Sequence, residues 1–197
     1  MNEINEIVEL FKKSGALLSG HFLLTSGKHS DTYFEKIKLI ENPTILEKIV
    51  DKLVELIKSK NLEFDYVVSP AFGAIAIGFL TALKLGKKFA FTQRENDNMV
   101  LRSGFSDIKG KNLIVVEDII TTGGSIKEVA DCLKNYDVNI LDFFVLLDRS
   151  KEKVEVEGKI PNSLAKVSAS LFDKEDCPLC KQNIPLTKPG ASNKFNN

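Results

Sequence analysis

The chain predicts an α/β fold: a mostly parallel central sheet flanked by helices. Three observations carry that prediction. The runs Tyr66-Val67-Val68, Leu113-Ile114-Val115-Val116 and Ile140 to Leu147 are short and almost continuously apolar, as strands buried on both faces are. Segments with apolar residues at helical spacing separate those runs. Strand and helix alternate along the 197 residues, which is the order that crossover helices between parallel strands produce.

Taken in order, residues 4 to 13 carry Ile4, Ile7, Val8, Leu10 and Phe11 at helical spacing, and Gly15 ends the helix. Residues 21 to 40 read as β structure around a Ser26-Gly27-Lys28 turn. Asn42-Pro43 reads as a cap and first turn. The helix it opens runs to about Lys60, with Ile45, Ile49, Leu53, Leu56 and Ile57 on one face. A strand at Tyr66 to Val68 precedes a helix from Ala74 to Leu85, and Lys88 to Thr92 is a further strand. Residues 93 to 104 are polar and read as irregular. Leu113 to Val116 is a strand, Ile126 to Asn135 a helix and Ile140 to Leu147 a strand. Pro185, Pro189 and Gly190 mark a loose tail.

Lys+Arg and Asp+Glu each total 27, so the formal net charge is zero and nothing draws the whole chain to nucleic acid or an anionic membrane. No run of 18 apolar residues occurs, and the acidic start Met1-Asn2-Glu3 does not read as a secretory signal. Three cysteines do not suggest a disulfide framework, and a reducing cytoplasm is the expectation.

Residues 113 to 125 carry the most chemistry. A buried strand delivers Glu117 and Asp118 to its C-terminal edge. Ile119 and Ile120 follow, then the turn Thr121-Thr122-Gly123-Gly124-Ser125, then a helix. Backbone N–H groups, three hydroxyls and a helix N-terminus at one turn suit a phosphate. Carboxylates beside them suit the vicinal hydroxyls of a sugar, so one strand-loop-helix unit can grip a ribose 5-phosphate along its length. Neither Gly-x-x-x-x-Gly-Lys-Ser/Thr nor a Gly-x-Gly-x-x-Gly after a strand is present.

This stretch resembles the phosphoribosyl pyrophosphate (PRPP) motif of the type I phosphoribosyltransferases. The segment Gly20 to Phe34, with Phe22-Leu23-Leu24-Thr25-Ser26-Gly27-Lys28 and the pair Tyr33-Phe34, is similar to the hood of the orotate phosphoribosyltransferases, and Leu147-Asp148-Arg149 extends the resemblance to that family into the core. The resemblance implies a hood over residues 1–42, a PRPP-binding core over 43–159, a segment 160–185 as a candidate to join the hood, and a tail at 186–197. It implies transfer of phosphoribose from PRPP to orotate with Mg²⁺ carried mainly by PRPP, and a cytoplasmic homodimer with neither nucleic acid nor membrane as partner.

The same resemblance assigns the site. PRPP falls to Glu117, Asp118, Ile119, Ile120, Thr121, Thr122, Gly123, Gly124 and Ser125, with Phe72 and Gly73 of a pyrophosphate loop, Lys28 and Arg94. Orotate falls to Thr121, Arg149, Tyr33 and Phe34, the aromatics as a wall and the guanidinium as a fork for the carboxylate. Catalysis falls to Asp118, Glu117 and Arg94, without a protein nucleophile. Many relatives carry lysine where Gly73 and Thr25 stand. Residues 93 to 104 correspond to a mobile catalytic loop that in relatives holds lysine and histidine, whereas this chain has Arg94 and Arg102. A purine or xanthine transferase and a PRPP-sensing regulator of nucleic acid share the PRPP motif and stand as alternatives. Cys177-Pro178-Leu179-Cys180 has the spacing of half a zinc site, but no second cysteine pair accompanies it. It reads as plain thiols at a helix start, with a metal held by four sulfurs from two subunits and a reactive dithiol as the alternatives; Cys132 reads as core, and His21 and His29 as surface or packing residues.

Overall fold

The computed structural model describes residues 3–24, 26–167 and 170–189. Thr25 and positions 190–197 of the expected tail lie outside the described residues. In chain order the elements are α1 (Glu3–Lys13), β1 (Leu17–Leu23), β2 (His29–Phe34), α2 (Lys36–Glu41), α3 (Pro43–Ser59), β3 (Tyr66–Pro70), α4 (Ile75–Leu85), β4 (Lys88–Glu95), β5 (Asn98–Leu101), β6 (Asn112–Ile120), α5 (Gly124–Lys134), β7 (Asn139–Asp148), β8 (Asn162–Lys166), β9 (Leu171–Phe172) and α6 (Pro178–Lys181).

A six-stranded sheet has the order β5-β4-β3-β6-β7-β8. Its strands are parallel except β5, which returns antiparallel to β4. Alternation along the central strands divides the core. Val67, Ile114, Val116, Phe144 and Leu146 pack with α1, α3 and α4 on one face. Val68, Leu113, Val115, Phe143 and Val145 pack with Ile126, Val129, Ala130 and Leu133 of α5 on the other. Burial on both faces is why these strands read as continuous apolar runs. A separate antiparallel sheet, β1-β2-β9, forms the hood.

Several elements depart from the sequence expectation. Residues 36–41 form helix α2 where β structure was expected. Asn42 does not cap α3 through its side chain; its amide donates instead to the carbonyls of Ser14 and Lys38. Residues 93–104 are not irregular. Arg94 pairs with Met99 across a tight β4–β5 hairpin, turned by Asn96 and Asp97 at φ 48° and 63°, the left-handed pair that two-residue hairpin turns require. Strand β6 continues past Val116 to Ile120, because Glu117 and Ile119 stay in register with Val145 and Leu147 of β7. Residues 162–166 add β8 to the core sheet, beyond the expected edge at 159, while β9 joins the hood. Part of the expected loose tail is held: the Thr187 N–H donates to the His21 carbonyl at 2.8 Å, and the Leu23 N–H donates to the Thr187 carbonyl at 2.8 Å.

Candidate active site

The C-terminal edge of the parallel sheet gathers the site, as open α/β sheets do. There the end of β6 meets the turn 121–123 and the first residues of α5. Gly123 is the N-cap of α5 with φ 79°, and a Cβ at that position would run into the Val154 side chain. Only glycine meets both demands. The side chains of Thr121, Thr122 and Ser125 are exposed at this turn, beside the backbone of Ile119, Ile120 and Gly124.

The two acids serve different neighbours, as consecutive residues of one strand must. Glu117 is turned to the helix: its carboxylate accepts from the Ser125 hydroxyl at 3.0 Å and from the Asp118 N–H at 2.9 Å. Burial first, and then the neighbouring Asp118 carboxylate, push the Glu117 carboxyl up from 4.5 to about 8. Burial therefore favours its neutral form in the free protein. Asp118 faces Lys36, whose ammonium donates to it at 2.7 Å. The expected joint grip of both acids on one set of ribose hydroxyls is thus not the arrangement of the free site. Of the two, Asp118 is the one paired directly with Lys36.

Lys36 was not among the residues singled out in the sequence. It opens α2, and its signal was hidden in a stretch that read as β structure. The same corner accounts for Gly73. A Cβ on Gly73 would collide with the Asp118 carboxylate and would lie 3.7 Å from Lys36 Cδ. Lys36 therefore delivers, from the hood side, a positive charge close to the backbone where relatives carry a lysine. The Ala71–Phe72 peptide of this loop is cis, and Phe72 is 82% exposed.

At the end of β7, the Arg149 N–H donates to the Ile120 carbonyl at 2.8 Å, which sets Arg149 beside Thr121. The Asp148 carboxylate accepts from the Ser150 N–H at 2.7 Å and secures the turn. The guanidinium lies over the Phe34 ring, 4.4 Å from its centroid, and its Nε is buried with no hydrogen-bond partner. Burial lowers its pKa from the ordinary arginine value. Tyr33 is adjacent to Phe34 on β2 and so faces the other way, against Phe22 at 5.8 Å between centroids. Burial, then Glu35, raise its phenol pKa. The expected two-ring wall is not formed: Phe34 alone lies under Arg149.

The remaining cations are dispersed. Arg94 pairs with Glu128 on α5, next to the phosphate turn. Arg102 reaches Glu95 at 3.7 Å within the hairpin. Lys28 is bound to Asp173 at 3.0 Å, in the hood.

A family model described as "Phosphoribosyl transferase domain" matches residues 37–171. The chain is 43% identical over 193 residues to an orotate phosphoribosyltransferase of Thermoanaerobacter sp. (strain X514), covering 98% of this chain and 100% of that one. It is 43% identical over 185 residues to the orotate phosphoribosyltransferase of Thermotoga maritima, covering 94% and 97%. The crystal structure of orotate phosphoribosyltransferase from Aeropyrum pernix superposes with a TM-score of 0.70 at 25% identity, covering 82% of this chain and 93% of that one.

Proposed function

This chain belongs to the orotate phosphoribosyltransferases of the phosphoribosyl transferase domain family, and from that premise we propose how its own residues carry the transfer of phosphoribose from PRPP to orotate. The turn 121–125 and the start of α5 hold the 5-phosphate through backbone N–H groups, that of Ser125 among them, and the hydroxyls of Thr121 and Thr122. Glu117 braces that turn through Ser125. Asp118 takes the ribose hydroxyls and keeps negative charge beside the ring as its C1–pyrophosphate bond loosens. Lys36, Arg94 and the backbone around Phe72 and Gly73 receive the departing pyrophosphate, so that no lysine from the hairpin is required.

The donor set bears on the metal. Asp118 is engaged by Lys36, and Glu117 is buried against Ser125 and the Asp118 N–H. These two acids do not present the pair of free carboxylates that a protein-held divalent cation uses. They fit a Mg²⁺ carried in on PRPP. Bound there, it would neutralise charge on the pyrophosphate leaving group.

The observation that carries the choice of base is the Arg149 guanidinium, stacked on Phe34 with a buried, unpartnered Nε–H. A planar cation with an unused donor beside Thr121 suits the carboxylate of orotate, which adenine, hypoxanthine, xanthine and uracil lack. No helix among the described residues is long and apolar enough to cross a membrane; we place the enzyme in the cytoplasm, working as a homodimer.

The test is loss of orotate absorbance with PRPP and Mg²⁺, with those four bases in parallel. Orotate alone should turn over, and only when all three components are present. Arg149→Gln should raise the orotate KM by roughly 10- to 100-fold, the worth of a charge-assisted hydrogen bond, with the PRPP KM nearly unchanged. Turnover of another base instead would overturn the reading of Arg149.

A further inference from the structure

Outside the active site, the hood brings together four side chains that the transfer reaction does not use. His21 of β1, His29 of β2, Cys177 and Cys180 place one ligand atom each within 4.8 Å of all the others. His21 Nε2 lies 2.8 Å from His29 Nδ1, 3.5 Å from Cys177 Sγ and 3.7 Å from Cys180 Sγ, and Cys180 Sγ lies 3.3 Å from His29 Nδ1. Both imidazoles are 3% exposed and Cys177 is fully buried. We propose that these residues form a structural zinc site of the Cys2His2 type, closed within one chain, that fastens the C-terminal segment to the hood.

The geometry is that of one four-coordinate ion. Zinc bonds of about 2.0 Å to nitrogen and 2.3 Å to sulfur, set tetrahedrally, put neighbouring ligand atoms about 3.3–3.8 Å apart. These three N–S distances match, the widest pair of the four atoms, within 4.8 Å, would draw in, and the two imidazole nitrogens would part by about half an ångström to reach the N–N edge. The tautomer is also prepared. His21 Nδ1 lies 2.8 Å from the Ile184 carbonyl, which can only accept, so Nδ1 carries the proton and Nε2 turns a lone pair into the cluster. Metal-binding histidines are oriented in this way by their second nitrogen. Two imidazoles and two thiols suit zinc rather than magnesium or calcium. Four protein ligands leave no open position, which makes the site structural rather than catalytic.

The segment needs such a staple. Of residues 170–189, only Cys177 is buried. Their regular structure is the two-residue β9, one 3-10 turn and the four-residue α6, and Ile184 and Leu186 are exposed. A stretch with so little core of its own is ordered by a cross-link to something better packed. The Cys-x-x-Cys pair supplies half of that link. The missing half is not a second cysteine pair but the two histidines of the hood, which sit diagonally because Leu23 pairs with His29.

The test is zinc content of the full-length, untagged, reduced protein by mass spectrometry, with Co²⁺ substitution as an independent readout. About one zinc per chain is expected, falling at least about tenfold in Cys180→Ser. The Co²⁺ form should show the intense visible bands and thiolate charge transfer of a tetrahedral site. Removing zinc with a chelator should lower the melting temperature and expose the region after residue 170 to protease. Protein that is isolated metal-free and binds no added Zn²⁺ after reduction overturns the proposal. So does a Cys180→Ser variant with undiminished zinc, or an octahedral cobalt spectrum. The cobalt spectrum of the wild-type protein decides the matter even if the variant fails to fold.

Discussion

Glu117 and Asp118 are neighbours with different chemistry because a strand sends them to different surroundings. The folded protein raises the Glu117 carboxyl from 4.5 to about 8, chiefly by burial. A group whose pKa rises on folding contributes its full stability below the unfolded pKa, and that contribution is lost as pH climbs towards the folded one. The window is therefore pH 4.5 to about 8. Glu117→Gln preserves the shape and an oxygen for the Asp118 N–H but cannot ionise. Its melting temperature should equal that of the wild type near pH 4.5 and exceed it by roughly 10 °C at pH 8, where about 4 kcal/mol are at stake. Parallel melting curves across that range would show that Glu117 is not buried as an acid. Arg149 is the other residue whose environment speaks: its stacking on Phe34 and its idle donor tie base recognition to one guanidinium.

Among the elements, the β6–α5 unit has a backbone that permits no compromise. Gly123 sits at φ 79° with Val154 over the position a side chain would take. Gly123→Ala adds the left-handed penalty of about 1–2 kcal/mol to a steric clash. A fall in melting temperature of roughly 4–8 °C is expected, with a weaker PRPP KM as the turn shifts; an unchanged melting curve would overturn this account of the turn. The hairpin β4–β5 shows a different lesson. Its residues are polar enough to read as a loop, yet Asn96-Asp97 is a turn signal, and the flanking residues pair as strands. Helix α2 was missed because six residues are too few to display a period, and with it went Lys36.

For the whole molecule, the question is what covers α4. Phe79 and Leu83 are 54% and 65% exposed, one turn apart, with Phe72 at 82% just before the helix. Phe79 continues inward as an aromatic series through Phe89, Phe91 and Phe105. Phe79 and Leu83 share one exposed helix face, as an interaction surface would, and we propose that a second copy of the chain covers it. Leu83→Glu combined with Phe79→Glu should shift the protein from dimer to monomer in light scattering, with a lowered melting temperature as the subunit contact is lost. A wild-type protein that is already monomeric would reject the α4 interface.

The central fold and the phosphate turn were legible because they are written locally. Apolar runs of strand length, helical spacing such as Ile49, Leu53 and Ile57, and the string from Glu117 to Ser125 all lie within a few residues of one another. Such patterns state which faces are buried and where a helix opens on a loop. What tertiary structure decided is every partnership between distant positions. Lys36 meets Asp118 across 82 positions, Cys177 meets His21 across 156, and Arg149 finds Phe34 of the hood. None of these pairs has a spacing that a sequence pattern can carry. Two separate sheets and their connections bring each pair within reach, and only in the folded chain do a lone lysine, two scattered histidines and a Cys-x-x-Cys acquire their chemistry.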